Sequence, residues 1–273
     1  MNRAGRQSAE RYFAQGMVLQ VWNGTLLATD NQLILRTGSE IQDAPNLDNT
    51  AIKIYLGEID GVHYFALNWE FTDGKSLRDL AATLNETQLE LAVTALALAN
   101  WHEAHRKCSR CGADTEVIDS GWVRKCPIDG SQHFPRTDPA VIVAVQDRNG
   151  RICLGHQAAW PEARYSNFAG FVEPGENLEA AVIREVAEES NLQVSDIRYL
   201  SSQPWPFPNS IMLAFEAFTD RPEDAKPDGE EIESLKWFTR DELRAQIADG
   251  TIKVPPITSV SGKMIDGWLN GKR

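Results

Sequence analysis

The sequence predicts an α+β protein, because strand-like and helix-like patterns succeed one another along its 273 residues. Short apolar or alternating runs separated by Gly, Asp and Asn are typical of strands joined by turns. The stretch 85–105 is instead rich in Leu and Ala, lacks Gly and Pro, and predicts one helix. Between the apolar runs 140–145 and 151–156, the pair Asn149-Gly150 predicts a tight hairpin turn.

The predicted elements follow one another in a simple order. Strands are expected at 18–24, 32–36, 51–57, 63–69, 140–145, 151–156, 197–203 and 210–218. Helices are expected at 85–105, about 178–190 and about 259–270, with a strand edge and a further helix within 236–250. A chain of this length allows two domains or one large domain with attachments, at about 100–200 residues per domain.

The charge, the number of cysteines and the lengths of the apolar runs argue against several classes of protein. The formal net charge of −12 argues against a protein that coats nucleic acid by bulk charge. The four cysteines are too few for a disulfide scaffold and favour a reducing compartment. The sequence lacks an apolar run of about 18 residues and a signal-peptide core, so we expect a cytoplasmic protein with no membrane partner.

The most informative segment is GFVEPGENLEAAVIREVAEESNL, residues 170–192. Glu185, Glu188 and Glu189 are spaced i, i+3 and i+4, which places all three on one face of a helix. Crowded carboxylates repel one another unless a cation binds them, and hard oxygen ligands suit Mg²⁺ or Mn²⁺. The adjacent Arg184 could orient or partly neutralise them. A solvated acidic helix face is the alternative explanation of the spacing.

This segment resembles the signature of the Nudix hydrolases, in which Gly, five residues, Glu and seven residues precede Arg-Glu-apolar-x-Glu-Glu-x-Gly. Every charged position matches, and Asn191 stands where the family has Gly. Asn is the best non-Gly residue for a left-handed helix end, so this departure costs little. The resemblance implies an α/β/α sandwich on a mixed sheet, and hydrolysis of a diphosphate linked to another moiety.

The resemblance also implies roles for individual residues. Glu185 and Glu189 would be metal ligands, with the Ala169 carbonyl nearby, and Glu188 would be either a ligand or the base. Glu231 matches a family position whose Glu joins the metal cluster. The adjacent Glu230 is the other candidate for that position, and a solvated acidic loop is the alternative explanation of both residues.

A second motif, SQPWPFPNS, begins shortly after the carboxylate helix at residue 202. Its prolines exclude a sheet interior and predict a stiff loop that presents aromatic rings; an ordinary turn over a core edge is the alternative. The motif resembles the mark of the NADH pyrophosphatase subfamily of the Nudix hydrolases. That resemblance implies a substrate-binding set made of Gln203, Pro204, Trp205, Pro206, Phe207, Pro208, Asn209 and Ser210.

Three more residues join this substrate-binding set. Phe171 follows the signature Gly, Phe134 occupies a family position that is usually Tyr, and Ser261 stands where the family usually has a substrate-contacting Ala. Flat nucleotide bases suit stacking on aromatic rings. Phe171 and Phe207 could instead belong to the core.

The third motif is Cys108-x2-Cys111, followed by Cys126-x2-Asp129. Two such Cys pairs would form a zinc ribbon, but the fourth position here is Asp, whereas the family has Cys. Three possibilities stay open: zinc held by the three Cys and Asp129, a fourth ligand from His105 or His133, or a decayed site. Cys153 lies in an apolar strand and is expected to be buried.

These motifs predict an N-terminal α/β domain for packing or dimerisation (1–104), a zinc-ribbon-like segment (105–137) and a Nudix hydrolase domain (138–273). The function implied by the resemblance is metal-dependent hydrolysis of the NAD(H) pyrophosphate to NMN(H) and AMP. RNA with a 5′ NAD cap presents the same bond and is a further candidate substrate. The alternatives are hydrolysis of ADP-ribose or a related nucleoside diphosphate, and a non-catalytic nucleotide-sensing regulator. Members of the family are usually homodimers, which is therefore also expected here.

Overall fold

The chain folds as two units in the computed structural model, which describes residues 1–42 and 50–271. The first unit contains Met1–Thr137 together with Trp205–Asn209, and the second contains Asp138–Pro204 and Ser210–Arg273. Within the described residues, no helix is both long enough and apolar enough to cross a membrane.

Short strands and one long helix make up the first unit. Its strands are β1 (Met17–Trp22), β2 (Thr25–Leu26), β3 (Ala28–Thr29), β4 (Gln32–Leu33), β5 (Leu35–Thr37), β6 (Ile52–Ile59), β7 (Val62–Asn68), β8 (Lys75–Ser76), β9 (Glu116–Ile118), β10 (Val123–Lys125) and β11 (Gln132–His133). Its α-helices are α1 (Gly38–Gln42), α2 (Leu77–Leu80) and α3 (Glu86–Ala104), and short 3-10 helices span Arg6–Tyr12 and Asp119–Gly121.

The main sheet of this unit has the order β6-β7-β1-β2-β8, with β5 also paired to β1. The helix predicted at 85–105 is confirmed as α3, which begins in a capping box. The Asn85 side chain accepts a hydrogen bond from the Gln88 N–H, and the Gln88 side chain accepts one from the Asn85 N–H. The single strand predicted at 32–36 is wrong: β4 pairs with β3 and β5 pairs with β1, because the chain changes partner at Ile34.

One mixed sheet between helices forms the second unit. Its strands are β12 (Asp138–Asp147), β13 (Ile152–His156), β14 (Phe168–Phe171), β15 (Ser195–Trp205), β16 (Ser210–Thr219) and β17 (Ser234–Phe238). Its helices are α4 (Leu178–Ser190), α5 (Arg240–Ala248) and α6 (Val260–Leu269), with a 3-10 helix at Pro222–Asp224. The sheet order is β15-β16-β12-β13-β17, and β14 also pairs with β12.

Strand β12 explains why this sheet is covered on both faces. Val141, Val143 and Val145 pack with α4 on one side, whereas the alternate residues Ile142 and Ala144 pack with α6 on the other. Such a doubly buried strand requires a continuous apolar run rather than alternation, which the sequence supplies at 140–145. The predicted α/β/α sandwich is confirmed.

The proline-rich segment departs from the predicted loop in one respect. Strand β15 continues through Pro204 to Trp205, so the segment begins inside a strand. Strand β15 lies at the edge of the sheet. Proline cannot donate a backbone hydrogen bond to a neighbouring strand, and for this reason prolines within sheets are found at edge strands.

Candidate functional site

The carboxylates of α4 divide between a buried and an exposed position. Glu185 and Glu189 are buried, with 8% and 3% of their surface exposed, whereas Glu188 is exposed. The helix begins at the Asn177 cap and ends at Asn191 in the left-handed conformation, with φ of 57°. The expectation that Asn could replace the family Gly at this helix end is therefore confirmed.

Strand β14 approaches α4 closely because residue 170 has no side chain. A Cβ built on Gly170 would overlap the carboxylate of Glu185. One residue earlier, the Ala169 N–H donates a hydrogen bond of 3.2 Å to Oε2 of Glu189. The signature glycine thus makes room for one predicted ligand, and its neighbour orients another.

The electrostatics of this pair suit a cation. The pKa of Glu189 is raised to about 8, chiefly by burial and also by the charges of Glu185 and Glu231, while the Ala169 hydrogen bond opposes the shift. Burial likewise raises the pKa of Glu185, opposed by Arg184. Buried carboxylates whose ionised form is this costly, and whose donor atoms are hard oxygens, fit Mg²⁺ or Mn²⁺.

Arg184 of α4 forms hydrogen bonds both within the helix and with the segment 171–176 that precedes it. Its guanidinium donates to Glu185 Oε1 at 2.8 Å, to Glu188 Oε2 at 3.0 Å and to the Phe171 carbonyl at 2.9 Å. It also donates to both carboxylate oxygens of Glu176, at 2.9 and 2.8 Å. Glu176 therefore anchors the arginine that orients the predicted ligands, a role that the spacing of the signature alone did not reveal.

A turn holds the predicted acidic residue Glu231. Asp228 accepts hydrogen bonds from the N–H groups of Glu231 and Ile232, at 3.1 and 2.8 Å, while the Glu231 side chain stays exposed. The charge of Glu231 contributes to the raised pKa of both Glu185 and Glu189. Sequence reasoning missed Asp228, although an Asp at the start of Asp-Gly-Glu-Glu is a signal for such a turn.

The beginning of α6 forms a polar cluster with two segments of the second unit. Gln203 accepts a 2.6 Å hydrogen bond from the Val260 N–H and donates one of 2.9 Å to the Thr258 carbonyl. The hydroxyl of Ser261 lies 2.8 Å from that of Ser166 and accepts a 3.0 Å hydrogen bond from Asn167. Two predicted substrate-binding residues, Gln203 and Ser261, are thus engaged with the protein itself.

The remaining predicted substrate-binding residues differ in exposure. Phe134 and Phe171 expose 58% and 60% of their surface, which suits ligand contact better than a place in the core. Trp205 and Phe207 are half-buried in the first unit, with ring centroids 5.1 Å apart. Pro206 and Ser210 are buried, Asn209 is half-buried, and Pro204 and Pro208 are exposed.

The residues of the cysteine motif lie together in one cluster within the first unit. One ligand atom from each of Cys108, Cys111, Cys126 and Asp129 lies within 4.8 Å of all the others. Sulfur ligands at ~2.3 Å from a tetrahedral zinc stand about 3.8 Å apart. The Sγ atoms of Cys111 and Cys126 are separated by 3.5 Å, and Cys108 Sγ lies 3.7 Å from Asp129 Oδ2. The donor set and its spacing therefore fit Zn²⁺.

Ser131, which sequence reasoning missed, orients the Asp129 carboxylate within the cluster. The Ser131 hydroxyl and N–H both donate to Asp129 Oδ1, at 2.6 and 2.9 Å, and they hold the pKa of Asp129 well below its usual value. Oδ2 is the oxygen that faces Cys108. The alternative ligand His105 contacts the Trp101 carbonyl, while His133 contacts the Ser131 hydroxyl.

Comparisons with known proteins show which families and proteins this chain is similar to. Residues 136–257 match the NUDIX domain, and residues 103–134 match the NADH pyrophosphatase zinc ribbon domain. The NAD-capped RNA hydrolase NudC of Mycobacterium bovis is 38% identical over 261 residues, covering 89% of this chain and 82% of that protein. The human NAD-capped RNA hydrolase NUDT12 is 35% identical over 198 residues, covering 68% of this chain and 43% of that protein. A solved NUDIX hydrolase from Nitrosomonas europaea aligns with a TM-score of 0.49 and 21% identity, over 61% of this chain and 94% of that one.

The match to the M. bovis protein spans both units, and the two domain matches coincide with the carboxylate helix and the cysteine cluster. The chain therefore belongs to the Nudix hydrolases, in the group that joins a NADH pyrophosphatase zinc ribbon to a Nudix domain.

Proposed function

We propose that the protein hydrolyses the pyrophosphate bond of NAD(H). Water attacks one phosphorus, the bridging P–O bond breaks, and NMN(H) and AMP leave, one of them carrying the oxygen of the water. The observation that carries the proposal is the buried pair Glu185 and Glu189, beside the gap left by Gly170.

Glu185 and Glu189 would hold Mg²⁺ or Mn²⁺, with the Ala169 carbonyl and Glu231 as further oxygen donors. A bound divalent cation offsets phosphate charge and lowers the pKa of water. Arg184 keeps the carboxylates oriented. Glu188 is exposed and hydrogen-bonded to Arg184, so it can serve as a further ligand or accept the proton of the attacking water.

Two features support a dinucleotide substrate. The exposed rings of Phe134 and Phe171 and the half-buried Trp205 and Phe207 offer stacking surfaces for bases. The curated relatives are named as hydrolases of NAD-capped RNA, and such RNA carries the same pyrophosphate. NAD-capped RNA is therefore a second candidate substrate.

Product analysis with NADH, NAD⁺, ADP-ribose and NAD-capped RNA side by side tests the proposal. We expect NMN(H) and AMP from the dinucleotides, and at least about a 100-fold loss of activity in Glu185→Gln and Glu189→Gln with the fold retained. Glu179→Gln, on the exposed side of the same helix, is the matched control. Hydrolysis confined to ADP-ribose would favour the ADP-ribose type of enzyme, and binding without any hydrolysis would indicate a sensing regulator.

The zinc site has its own experiment. We expect about one zinc per chain, lost in Cys108→Ser, weakened in Ser131→Ala and tightened in Asp129→Cys. Cys153→Ala removes a buried cysteine outside the cluster and is the matched control. Full retention of zinc in Cys108→Ser would contradict this assignment, and a stable protein without zinc would indicate a decayed site.

Location and assembly complete the proposal. The free cysteines support a reducing compartment, and we infer a cytoplasmic enzyme. The family resemblance supports a homodimer, in which the N-terminal domain would serve packing or dimerisation. Light scattering on the purified chain and fractionation of cells that express it test these two inferences.

A further inference from the structure

The segment Trp205–Asn209, called the aromatic tip here, forms part of the first unit although its flanking residues belong to the second. Pro206 is buried, and Phe207 packs against the apolar cluster that includes Leu77, Leu80 and Leu98. The tip is thus held by residues far from it in sequence, and two polar side chains of the first unit contact it directly.

Asn100, near the end of α3, contacts the backbone of the tip on both sides of Phe207. Its Nδ2 donates to the Pro206 carbonyl at 3.2 Å and to the Pro208 carbonyl at 3.1 Å. Prolines lack an N–H, so a segment rich in them has few backbone donors and depends on side chains to satisfy its carbonyls. Both N–H groups of one amide therefore fix the course of the tip.

Arg78, in α2, covers the rings of the tip. Its Cζ lies 4.5 Å from the ring centroid of Phe207 and 5.7 Å from that of Trp205. The two rings meet edge to face, at an interplanar angle of 70°. One guanidinium therefore contacts both aromatic residues through cation–π attraction and favours one relative orientation of the rings.

We propose that Arg78 and Asn100 are positioning residues that hold Trp205 and Phe207 ready for the nicotinamide-bearing half of the substrate. The inference rests on the proposed function, which assigns the aromatic tip to dinucleotide binding. A ring already held in its binding orientation loses less conformational entropy when the ligand stacks on it. The N-terminal domain thereby contributes to substrate selection without contacting the substrate.

Kinetics with two substrates test this role. Asn100→Asp keeps the shape of the side chain but replaces both donors by acceptors, and Arg78→Ala removes the cation. We expect the KM for NADH to rise by about 5- to 20-fold in Asn100→Asp and by about 2- to 5-fold in Arg78→Ala. The kcat and KM for ADP-ribose, which lacks nicotinamide, should stay within about 2-fold, because a change confined to nicotinamide stacking cannot affect it.

Matched variants make the test specific. Arg78→Lys keeps a cation and should restore part of the NADH affinity, while Lys75→Ala removes a neighbouring exposed charge and should leave both substrates unaffected. In a Trp205→Ala background, Arg78→Ala should cause a smaller further loss of NADH affinity than in the parent, because only its contact with the Phe207 ring remains. Titrations that follow NADH fluorescence, with each variant made in the Glu185→Gln background, measure NADH binding without turnover.

The outcomes separate this inference from the proposed function. An unchanged KM for NADH in Asn100→Asp and Arg78→Ala, with a raised KM in Trp205→Ala, would overturn the positioning role and leave the function of the tip intact. Equal losses with NADH and ADP-ribose would also overturn it, because they indicate a structural role. Normal NADH binding in both Trp205→Ala and Phe207→Ala would instead remove the tip from the proposed function. Should Asn100→Asp not fold, the two Arg78 variants decide the matter.

Discussion

The carboxylate of Glu185 occupies the space in which residue 170 would carry a Cβ. This relationship between a strand and a helix explains why the signature needs glycine at its first position. It also links the folding of the β14–α4 corner to the geometry of the proposed metal site.

Replacing Gly170 by Ala should displace Glu185. We expect a fall in kcat/KM of about 100-fold and a loss of about 1–3 kcal/mol in the free energy of unfolding, because the added methyl overlaps a carboxylate. The check is a double-mutant cycle with Glu185→Ala, measured by denaturation and by NADH turnover. If the overlap is the cause, Gly170→Ala should destabilise the Glu185→Ala protein much less; an equal cost in both backgrounds would point to the backbone instead.

Glu189→Gln should separate stability from activity. Burial makes the ionised form of Glu189 costly, and a glutamine can still accept the hydrogen bond from Ala169. In metal-free protein at neutral pH we expect the variant to be more stable by about 1–3 kcal/mol, while activity is lost. Urea denaturation in the presence of a chelator measures this. A variant less stable than the parent would show that the carboxylate has a compensating partner.

His102 should make the first unit sensitive to acid. Its Nε2 donates to the Gly121 carbonyl at 2.9 Å, and its Nδ1 accepts from Arg124 at 3.0 Å, so the fully buried ring is neutral. The pKa of His102 is lowered to about 4, chiefly by burial and also by the Arg124 charge, while the Gly121 hydrogen bond opposes the shift.

The sign of the pH dependence follows from these values. Below about pH 6.5 the unfolded chain binds a proton at this histidine while the folded chain does not, so stability falls as the pH drops towards 4. Between pH 7.5 and pH 5 this one group should remove about 2 kcal/mol. His102→Gln keeps a donor for Gly121, and the difference between the two proteins at each pH isolates the effect. Parallel stability profiles would contradict the prediction.

Ser261→Ala should change stability but not selectivity. The Ser261 hydroxyl is engaged with Ser166 and Asn167, so its removal leaves both with one hydrogen bond fewer. We expect a loss of about 1 kcal/mol in the free energy of unfolding and an unchanged preference between NADH and ADP-ribose. A shift in that preference would show that the hydroxyl contacts the substrate after all.

The features that sequence predicted well are those set by local spacing. The helix side shared by Glu185 and Glu189, the left-handed helix end at Asn191 and the hairpin turn at Gly150 each depend on residues within a few positions of one another, whereas Glu188 is exposed beside the buried pair. The doubly covered sheet is implied by the resemblance to the Nudix hydrolases, and the continuous apolar run of β12 agrees with it. The assignment of these residues to metal and substrate stays a prediction.

The features that sequence did not predict depend on residues distant along the chain. Gln203 meets Val260, 57 residues away, and Asn100 meets Pro206, 106 residues away. No periodicity or motif spacing encodes such pairs, because they arise only when separate elements pack. Ser131 is an exception, because an Asp-x-Ser pair is local and its hydrogen bonds could have been anticipated.

The first unit is built from two segments that are distant in sequence, and this affects how the protein folds during synthesis. A ribosome completes residues 1–137 well before it reaches Trp205–Asn209, and the whole of Asp138–Pro204 is made in between. Until then the apolar cluster that receives Phe207 stays partly uncovered, and Asn100 lacks both carbonyl partners. The nascent N-terminal half therefore reaches its final packing only after the polypeptide has been translated past Asn209.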